Sequence, residues 1–473
     1  MLSEDVVINF PALTNIRGEG KFFSAAQPIH ISRAPGRLDL MGGNVDYTGG
    51  LVFESTIREA TWAAAQRRAD ARIVFWNPQM QEEKWKDRVE LRTDEVQDEA
   101  SVKKFVNSSP AVRWTAYVLG AFLILKNRVP EVVKSGASIY IESEVPRNKG
   151  VSSSAAVEVS VLKALAASFG VDLAGTELAE ACQWMENVIA DSACGVMDQA
   201  ASVLGDEGCV LPLVCQPCSP RPLVKLPKGL RCWAIDSGVK HAVTGIEYEA
   251  ARAAAFVGYR MICEWEHLPL ILDKSGRIPR FVDPQWSGFL SNVTASTFRS
   301  KYERRLPESL SGAEILSTQA IHPDPFTTIR PDVKYRVRDC TKYAIEENHR
   351  IELFVELARG CSGQPSLSAF RQMGELMFQS HWSYTECGLG CDETDQLIGF
   401  VRRHRGDDQL FGAKITGGGA GGTVAVLGSE DGAAAFQKVI DDYTHLRGVA
   451  PYVMEGSSMG ADRFGIQVIR GNS

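Results

Sequence analysis

Several glycine-rich segments of this 473-residue chain carry polar side chains that could do chemistry. The first, PRNKGVSSSAAVEV at residues 146–159, has a glycine turn followed by serines at the start of a helical pattern. Free amides and the positive end of a helix favour an anion such as a nucleotide polyphosphate, and a serine hydroxyl there can bind Mg2+. The spacing is not that of a Walker loop, so an ordinary serine-capped helix is the alternative interpretation.

The second segment, RAPGRLDLMGGNVDYTGG at residues 33–50, places polar side chains on turns that contain five glycines. These side chains belong to Arg37, Asp39, Asn44, Asp46 and Tyr47. Polar groups on a loop of this kind suit the hydroxyl groups of a sugar, whereas the alternative interpretation is a solvated surface hairpin.

The third segment, ITGGGAGGTVAV at residues 415–426, contains the glycine spacing G-x-G-x-x-G. A strand pattern follows it, whereas a dinucleotide-binding fold needs a helix at that point. We therefore expect a glycine loop that packs close to a phosphate or a substrate.

These segments must be positioned by a mixture of strands and helices. Alternating apolar and polar residues predict a strand at Ala137–Ser143, and another strand pattern lies at residues 28–32. Helical spacing predicts helices over residues 155–170, from a cap at Thr176, from near Asp198 to Gly205, and over residues 337–358 and 366–380. Because the elements mix without regular alternation, the predicted fold class is α+β.

The length of the chain predicts two domains, because single hydrophobic cores stop growing beyond about 300 residues. The proline-rich stretch at residues 216–229 is the candidate boundary, and it gives domains 1–228 and 229–473. Residues 270–332 show little periodicity and are predicted to form an irregular insertion.

The composition restricts the partners and the compartment. A formal net charge of -7 gives no general attraction to nucleic acid or to anionic membranes. The N-terminus has no signal-peptide pattern, no apolar run approaches the roughly 18 residues of a membrane span, and the eleven cysteines are scattered. We therefore expect a cytoplasmic protein that binds small molecules, as a monomer or a weak homodimer.

Taken together, the three segments resemble the signature motifs of the GHMP kinases, the family of galactokinase, homoserine kinase, mevalonate kinase and phosphomevalonate kinase. RAPGR followed by DYTGG resembles the galactokinase branch, and KGVSSSAAVEV and CGVMDQ are closest to the L-arabinokinases. The resemblance covers most of the chain. It implies an N-terminal domain like ribosomal protein S5 domain 2, a ferredoxin-like C-terminal domain and ATP-dependent phosphorylation of a sugar at its anomeric hydroxyl.

The resemblance also implies roles for single residues. Asp198 matches the family's catalytic aspartate, which accepts the proton of the sugar hydroxyl, and Arg37 matches the arginine beside it. Ser154 and Glu186 match the family's Mg2+ ligands. The residues expected to hold ATP are Trp114, Lys149, Gly150, Val151, Ser152, Ser153, Ser154 and Ala155. Those expected to contact the sugar are Arg37, Gly43, Asn44, Asp46, Gly195, Asp198 and Tyr248. A tryptophan in the core is the alternative interpretation of Trp114.

The expected sugar is L-arabinose, which is galactose without the exocyclic hydroxymethyl group. Galactokinases carry a glutamate that bonds the 6-hydroxyl, and this sequence has Gly43 at that position. A glutamate introduced there is expected to favour galactose, because a site built to bond a hydroxyl rejects a substrate that lacks it. The alternatives are a galactokinase and a non-catalytic sugar sensor. The intact serine segment with Asp198 argues against the sensor.

Overall fold

The structure, a computed structural model, describes residues 21–130, 134–239, 245–276, 278–318, 324–361, 363–406 and 408–470. Its strands are β1 (Ile29–Met41), β2 (Leu51–Arg67), β3 (Arg72–Trp76), β4 (Arg88–Arg92), β5 (Ala137–Ser143), β6 (Cys209–Val214), β7 (Ser219–Pro220), β8 (Val224–Lys225), β9 (Leu230–Asp236), β10 (Ile271–Asp273), β11 (Arg280–Val282), β12 (Leu310–Ser311), β13 (Lys334–Tyr335), β14 (Leu410–Ile415), β15 (Thr423–Ser429), β16 (Val453–Glu455) and β17 (Gln467–Ile469).

The α-helices range from one turn to 24 residues. They are α1 (Glu99–Val106), α2 (Ala116–Arg128), α3 (Ser153–Ser168), α4 (Gly175–Trp184), α5 (Met197–Leu204), α6 (Ile246–Trp265), α7 (Ala295–Thr297), α8 (Gly312–Ser317), α9 (Val337–Gly360), α10 (Leu367–Glu386), α11 (Asp392–Arg403), α12 (Ala433–Arg447) and α13 (Ala461–Phe464). Within the described ranges, no helix combines the length and apolar character needed to cross a membrane.

The larger sheet has nine strands in the described part of the chain, with a main order of β17-β1-β2-β5-β3-β4 and β6 paired to the other end of β2. Strands β1 and β2 form a long antiparallel hairpin, and two register shifts near its tip bend β1. The hairpin loop, residues 42–50, therefore projects from the end of the sheet. It carries the second glycine-rich segment of the sequence.

The smaller sheet has the strand order β14-β15-β9-β16 and is antiparallel throughout. The C-terminal glycine loop, residues 416–422, connects β14 to β15. Helix α10 packs on β14 and helix α9 packs on α10, so these two long helices lie beside the hairpin loop. The smaller sheet therefore positions the third glycine-rich segment next to the other two glycine-rich segments.

Helix α3 lies in the interior, against β1 and β2, and most of its residues are buried. A helix that is apolar on most sides is typical of such a position. Even its polar residues are enclosed: Glu158 and Ser160 are fully buried, and Lys163 pairs with Asp462. This burial fixes the position of the serines at the start of the helix.

Most of the predicted elements are confirmed. Strand β5 has the predicted bounds, α5 ends at Leu204 before Gly205, and the predicted strand at 28–32 is the start of the longer β1. The cap at Thr176 is wrong. Helix α4 begins at Gly175, whose backbone N–H donates to the carboxylate of Asp462 at 2.7 Å, so a residue distant in sequence supplies the cap. The predicted domain boundary near residue 228 stays a prediction.

Candidate active site

Two of the glycine-rich loops are in contact. We call residues 149–154 the serine loop. A side chain at Gly417 would lie 2.5 Å from the carbonyl oxygen of Gly150, and one at Gly422 would lie 2.9 Å from that of Lys149. Thr423 Oγ1 donates to the same Lys149 carbonyl at 2.7 Å. Only glycines allow this approach, which explains the glycines at positions 417 and 422 of the third segment.

The serine loop presents the start of α3 without a side-chain cap. Ser152 precedes the helix with a φ of 59°, and its hydroxyl is buried without a hydrogen-bond partner in the described structure. The first-turn amides of Ser153, Ser154 and Ala155 therefore keep their capacity to bind an anion. A buried hydroxyl without a partner, next to free amides, suits the oxygens of a polyphosphate.

Arg37 joins the hairpin to the serine loop and to Asp198. Its Nε and Nη2 lie 2.9 and 2.8 Å from Asp198 Oδ1, and its Nη1 donates to the Gly150 carbonyl at 2.7 Å. The backbone N–H of Arg37 also donates to the Val151 carbonyl. Burial opposes the charge of this arginine, but the nearby carboxylates of Asp198 and Glu54 outweigh it and raise its pKa. Arg37 is therefore a permanent, fixed cation beside Asp198.

Asp198 lies in the first turn of α5 with 22% of its side chain exposed. It is accessible on one side and held by Arg37 on the other. A carboxylate in this setting can accept a proton from a bound hydroxyl group. Arg37 and Asp198, which the sequence predicted as partners, are thus brought together.

Glu186 belongs to a cluster of buried carboxylates. Burial, and then the negative charge of Asp198, raise the pKa of Glu186 to about 7. The side chain of Gln199 donates to Glu186 Oε2 at 2.6 Å and to Glu158 Oε2 at 3.1 Å. Burial and the Glu186 carboxylate raise the pKa of Glu158 well above its ordinary value. Glu158 and Gln199 were not predicted as site residues, although both lie inside the motifs.

The residues predicted to bind Mg2+ also meet. The Ser154 hydroxyl lies beside the Glu186 carboxylate and favours its charged form, which opposes the rise of its pKa. A hydroxyl and a carboxylate at the start of a helix with free amides provide the hard oxygen ligands that Mg2+ prefers beside phosphate oxygens. The pair therefore fits this ion.

The polar end of the hairpin loop carries Asp46 and faces two further predicted residues, Gly195 and Tyr248. Burial and the charge of Asp198 raise the pKa of Asp46 to about 6. A side chain at Gly195 would collide with the Asp46 carboxylate. The Tyr248 ring lies edge-on to Tyr47, with 5.9 Å between the ring centroids. Gly195 thus adjoins the Asp46 carboxylate and Tyr248 packs on the neighbouring Tyr47, so that the three predicted sugar contacts lie at the same end of the hairpin loop.

Asn44 and Gly43 are enclosed by the C-terminal part of the chain. Asn44 has a φ of 61°, and its amide donates to the Tyr384 hydroxyl at 2.9 Å. The Gly43 carbonyl accepts from the Tyr343 hydroxyl at 2.7 Å. A Cβ on Gly43 would collide with Tyr384 Oη and with a carboxylate oxygen of Asp39. A glutamate therefore cannot be added at position 43 without displacing its neighbours, so Gly43→Glu alone is not a clean test of specificity.

Lys149 forms an ion pair across the two glycine loops. Its Nζ lies 2.7 Å from Asp236 Oδ2, at the end of β9, and 21% of the lysine side chain is exposed. It can therefore reach an anion at the serine loop.

Trp114 lies in a more enclosed position. Its Nε1 donates to the Lys86 carbonyl, its ring packs edge-on against Phe75, and only 7% of it is exposed. This environment favours the core interpretation of Trp114, and adenine stacking stays a prediction.

The chain matches three descriptions of known families. Residues 116–206 match the GHMP kinases N terminal domain, residues 364–444 match the GHMP kinases C terminal domain, and residues 20–67 match the galactokinase galactose-binding signature. A galactokinase of Chloroflexus aggregans is 30% identical over 85% of this chain and 84% of that protein. The chain belongs to the GHMP kinase family.

An L-arabinokinase of Arabidopsis thaliana is 33% identical over 96% of this chain. The chain spans about half the length of that protein, 48%. A crystal structure of Lactococcus lactis galactokinase complexed with galactose has a TM-score of 0.69 at 21% identity, over 91% of this chain and 94% of that one. A mevalonate kinase structure has a TM-score of 0.55 at 13% identity, over 91% and 99%. The predicted family and its α+β fold are confirmed, and the predicted enzyme class is that of the family.

Proposed function

We propose that this GHMP kinase transfers the γ-phosphoryl group of ATP to the anomeric hydroxyl of L-arabinose, which gives L-arabinose 1-phosphate and ADP. The observation that carries the proposal is the position of Arg37. One guanidinium bonds both Asp198 and the Gly150 carbonyl of the serine loop. A hydroxyl group at Asp198 would therefore lie close to a phosphate held at the start of α3.

On the sugar side, the oxygen of the anomeric hydroxyl attacks the γ-phosphorus, and Asp198 accepts the proton of that hydroxyl. The bond from that phosphorus to the bridging oxygen breaks, and ADP leaves. Arg37 keeps the carboxylate in place and stabilises the negative charge that develops between oxygen and phosphorus. Asp46 and Tyr248 orient the sugar ring through its hydroxyl groups.

On the nucleotide side, the free amides of α3 and the buried hydroxyl of Ser152 hold phosphate oxygens. Lys149 adds a positive charge at the same loop. Ser154 and Glu186 would hold Mg2+, which neutralises phosphate charge when it is bound. Burial and the charge of Asp198 raise the pKa of Glu186 to about 7, and a cation bound beside this carboxylate would favour its ionised form.

Galactose is the second candidate sugar, because residues 20–67 match the galactose-binding signature and several relatives are galactokinases. L-arabinose is preferred because Gly43 provides no carboxylate for a 6-hydroxyl. A non-catalytic sugar sensor is disfavoured, since the serine loop, Arg37 and Asp198 form one connected arrangement.

The test is an incubation of the protein with ATP, Mg2+ and either sugar. ADP release is followed by a coupled assay, and the product is identified by phosphorus NMR. We expect a sugar 1-phosphate, formed faster with L-arabinose. Binding of a sugar without turnover of any sugar would instead support the sensor.

A further inference from the structure

Tyr384 fills the space beside the hairpin loop that a side chain at position 43 would occupy. A Cβ built on Gly43 would collide with Tyr384 Oη on one side and with the Asp39 carboxylate on the other. Tyr384 is fully buried on α10, at 0% exposure. The loop that carries the predicted sugar contacts is therefore closed at Gly43 by a residue of the C-terminal half.

Three contacts keep Tyr384 in this place. Its hydroxyl donates to the Gly417 carbonyl and accepts from the Asn44 amide at 2.9 Å. Its ring packs edge-on against Tyr343, with 5.3 Å between centroids. A tyrosine that is bonded at its hydroxyl and packed at its ring cannot rotate away to admit a larger ligand without loss of these contacts.

The space beside Gly43, which we call the corner, lies between Tyr384 and Asp39, and Asp39 is also held in place. Asp39 Oδ2 accepts from Lys414 Nζ at 2.9 Å, and both side chains are fully buried. The backbone N–H of Asp39 donates to Thr416 Oγ1 at 2.9 Å. Displacing Asp39 would leave the Lys414 ammonium buried without its counter-ion, which is strongly unfavourable. Extra volume at Gly43 must therefore come from Tyr384.

We propose that Tyr384 determines the size of the sugar that this chain accepts. Its hydroxyl closes the pocket at Gly43, so that a pentopyranose fits and a hexopyranose with an exocyclic carbon does not. The inference rests on the proposed sugar-kinase function. Selectivity then arises because Tyr384 fills the space that the exocyclic carbon of a hexose would need. It does not depend on whether residue 43 can bond the 6-hydroxyl.

These two explanations differ for 6-deoxy-D-galactose, which keeps the exocyclic carbon and lacks the 6-hydroxyl. If volume decides, the wild-type protein rejects this sugar almost as strongly as D-galactose, by about tenfold or more relative to L-arabinose. Acceptance of 6-deoxy-D-galactose as readily as L-arabinose would overturn the proposal, because the corner would then be open to a carbon atom.

Two variants test this. Tyr384→Phe removes the hydroxyl that lies next to Gly43, and Tyr384→Leu replaces the whole aromatic ring by a smaller side chain. We expect the ratio of kcat/KM for D-galactose to that for L-arabinose to rise in both, by about tenfold in the leucine variant. Tyr343→Phe is the matched control, because it removes a hydroxyl that donates to the Gly43 carbonyl without making space where a Cβ on Gly43 would lie. Its ratio is expected to equal that of the wild type.

Calorimetry measures the affinity of each variant for each sugar, and thermal unfolding shows whether the variant is folded. An unchanged ratio in folded Tyr384→Phe overturns the inference, and that variant decides the matter if Tyr384→Leu does not fold. If the wild type phosphorylates none of the three sugars, the proposed function fails. The order of their binding affinities then still tests the inference about Tyr384.

Discussion

Asp198→Asn removes one charge from the centre of the site and hardly changes the size of the side chain. The asparagine oxygen can still accept from Arg37, whose Nη1 also remains bonded to the Gly150 carbonyl. It cannot accept the proton of the sugar hydroxyl. General-base catalysis contributes about 100-fold to 10,000-fold to a rate, so kcat is expected to fall by that factor while the KM for ATP changes little.

The fold is expected to tolerate this change. Breaking a fully buried ion pair costs about 3–5 kcal/mol, but Asp198 is partly exposed. The Glu54 carboxyl group also lies 3.5 Å from Arg37; burial and the charges of Asp39 and Asp198 raise its pKa well above its ordinary value, so that it ionises more readily once the Asp198 charge is removed. The charge of Asp198 also raises the pKa of both Asp46 and Glu186, so its removal relieves repulsion. We therefore expect a loss of unfolding free energy well below that range.

The assay combines steady-state kinetics with thermal unfolding and ATP binding by calorimetry. Asp191→Asn is the matched control: it makes the same chemical change in an exposed ion pair with Lys103, at a φ of 51° that asparagine accepts. Its kcat should equal that of the wild type. Near-normal turnover in folded Asp198→Asn would refute the role of Asp198 as the base and leave it as an orienting residue.

Three further predictions concern the nucleotide side. Lys149→Met is expected to raise the KM for ATP by about tenfold in steady-state assays, because a charge-assisted hydrogen bond is lost; an unchanged KM would remove Lys149 from the phosphate site. In Mg2+-free buffer, Glu186→Gln should unfold at a higher temperature than the wild type above pH 7. The pKa of Glu186 rises from 4.5 to about 7 on folding, so the wild type loses up to about 3 kcal/mol as the pH increases through this range, and the difference should vanish below pH 4.5. Added Mg2+ should stabilise only the wild type. Trp114→Phe should lower the unfolding temperature without changing the KM for ATP, because its indole bonds the Lys86 carbonyl; a clear rise in KM would restore the stacking interpretation.

Local patterns in the sequence were sufficient for the elements that position the site. The alternation over Ala137–Ser143 predicts β5 correctly, although residues 137–141 are buried on both faces of the strand, and the apolar run after the serines predicts α3. The cap of α4 could not be predicted, since its acceptor Asp462 is distant in sequence. The residues around Thr176 do not show whether a neighbouring side chain or a distant one caps the helix.

The contact between Arg37 and Asp198 and the position of the serine loop at the start of a helix could be predicted because their residue types and order form motifs. The residues that enclose them could not. Lys414 pairs with Asp39 across 375 positions, and Tyr384 reaches Asn44 across 340. Tyr384 lies in a helical segment with no chemical signal of its own, and Lys414 precedes the third glycine-rich segment without belonging to its glycine pattern, so only the fold reveals what each of them touches. Glu158 and Gln199 lay within the motifs but read as ordinary helix residues.

One competition measurement shows whether the protein is a kinase that prefers a pentose. The wild-type protein is given ATP, Mg2+ and equal concentrations of L-arabinose and D-galactose, and the two sugar 1-phosphates are quantified by phosphorus NMR at early times. Their ratio equals the ratio of the two kcat/KM values. The proposed selectivity predicts an excess of L-arabinose 1-phosphate of about tenfold or more. Equal amounts of the two products, or an excess of galactose 1-phosphate, would contradict it.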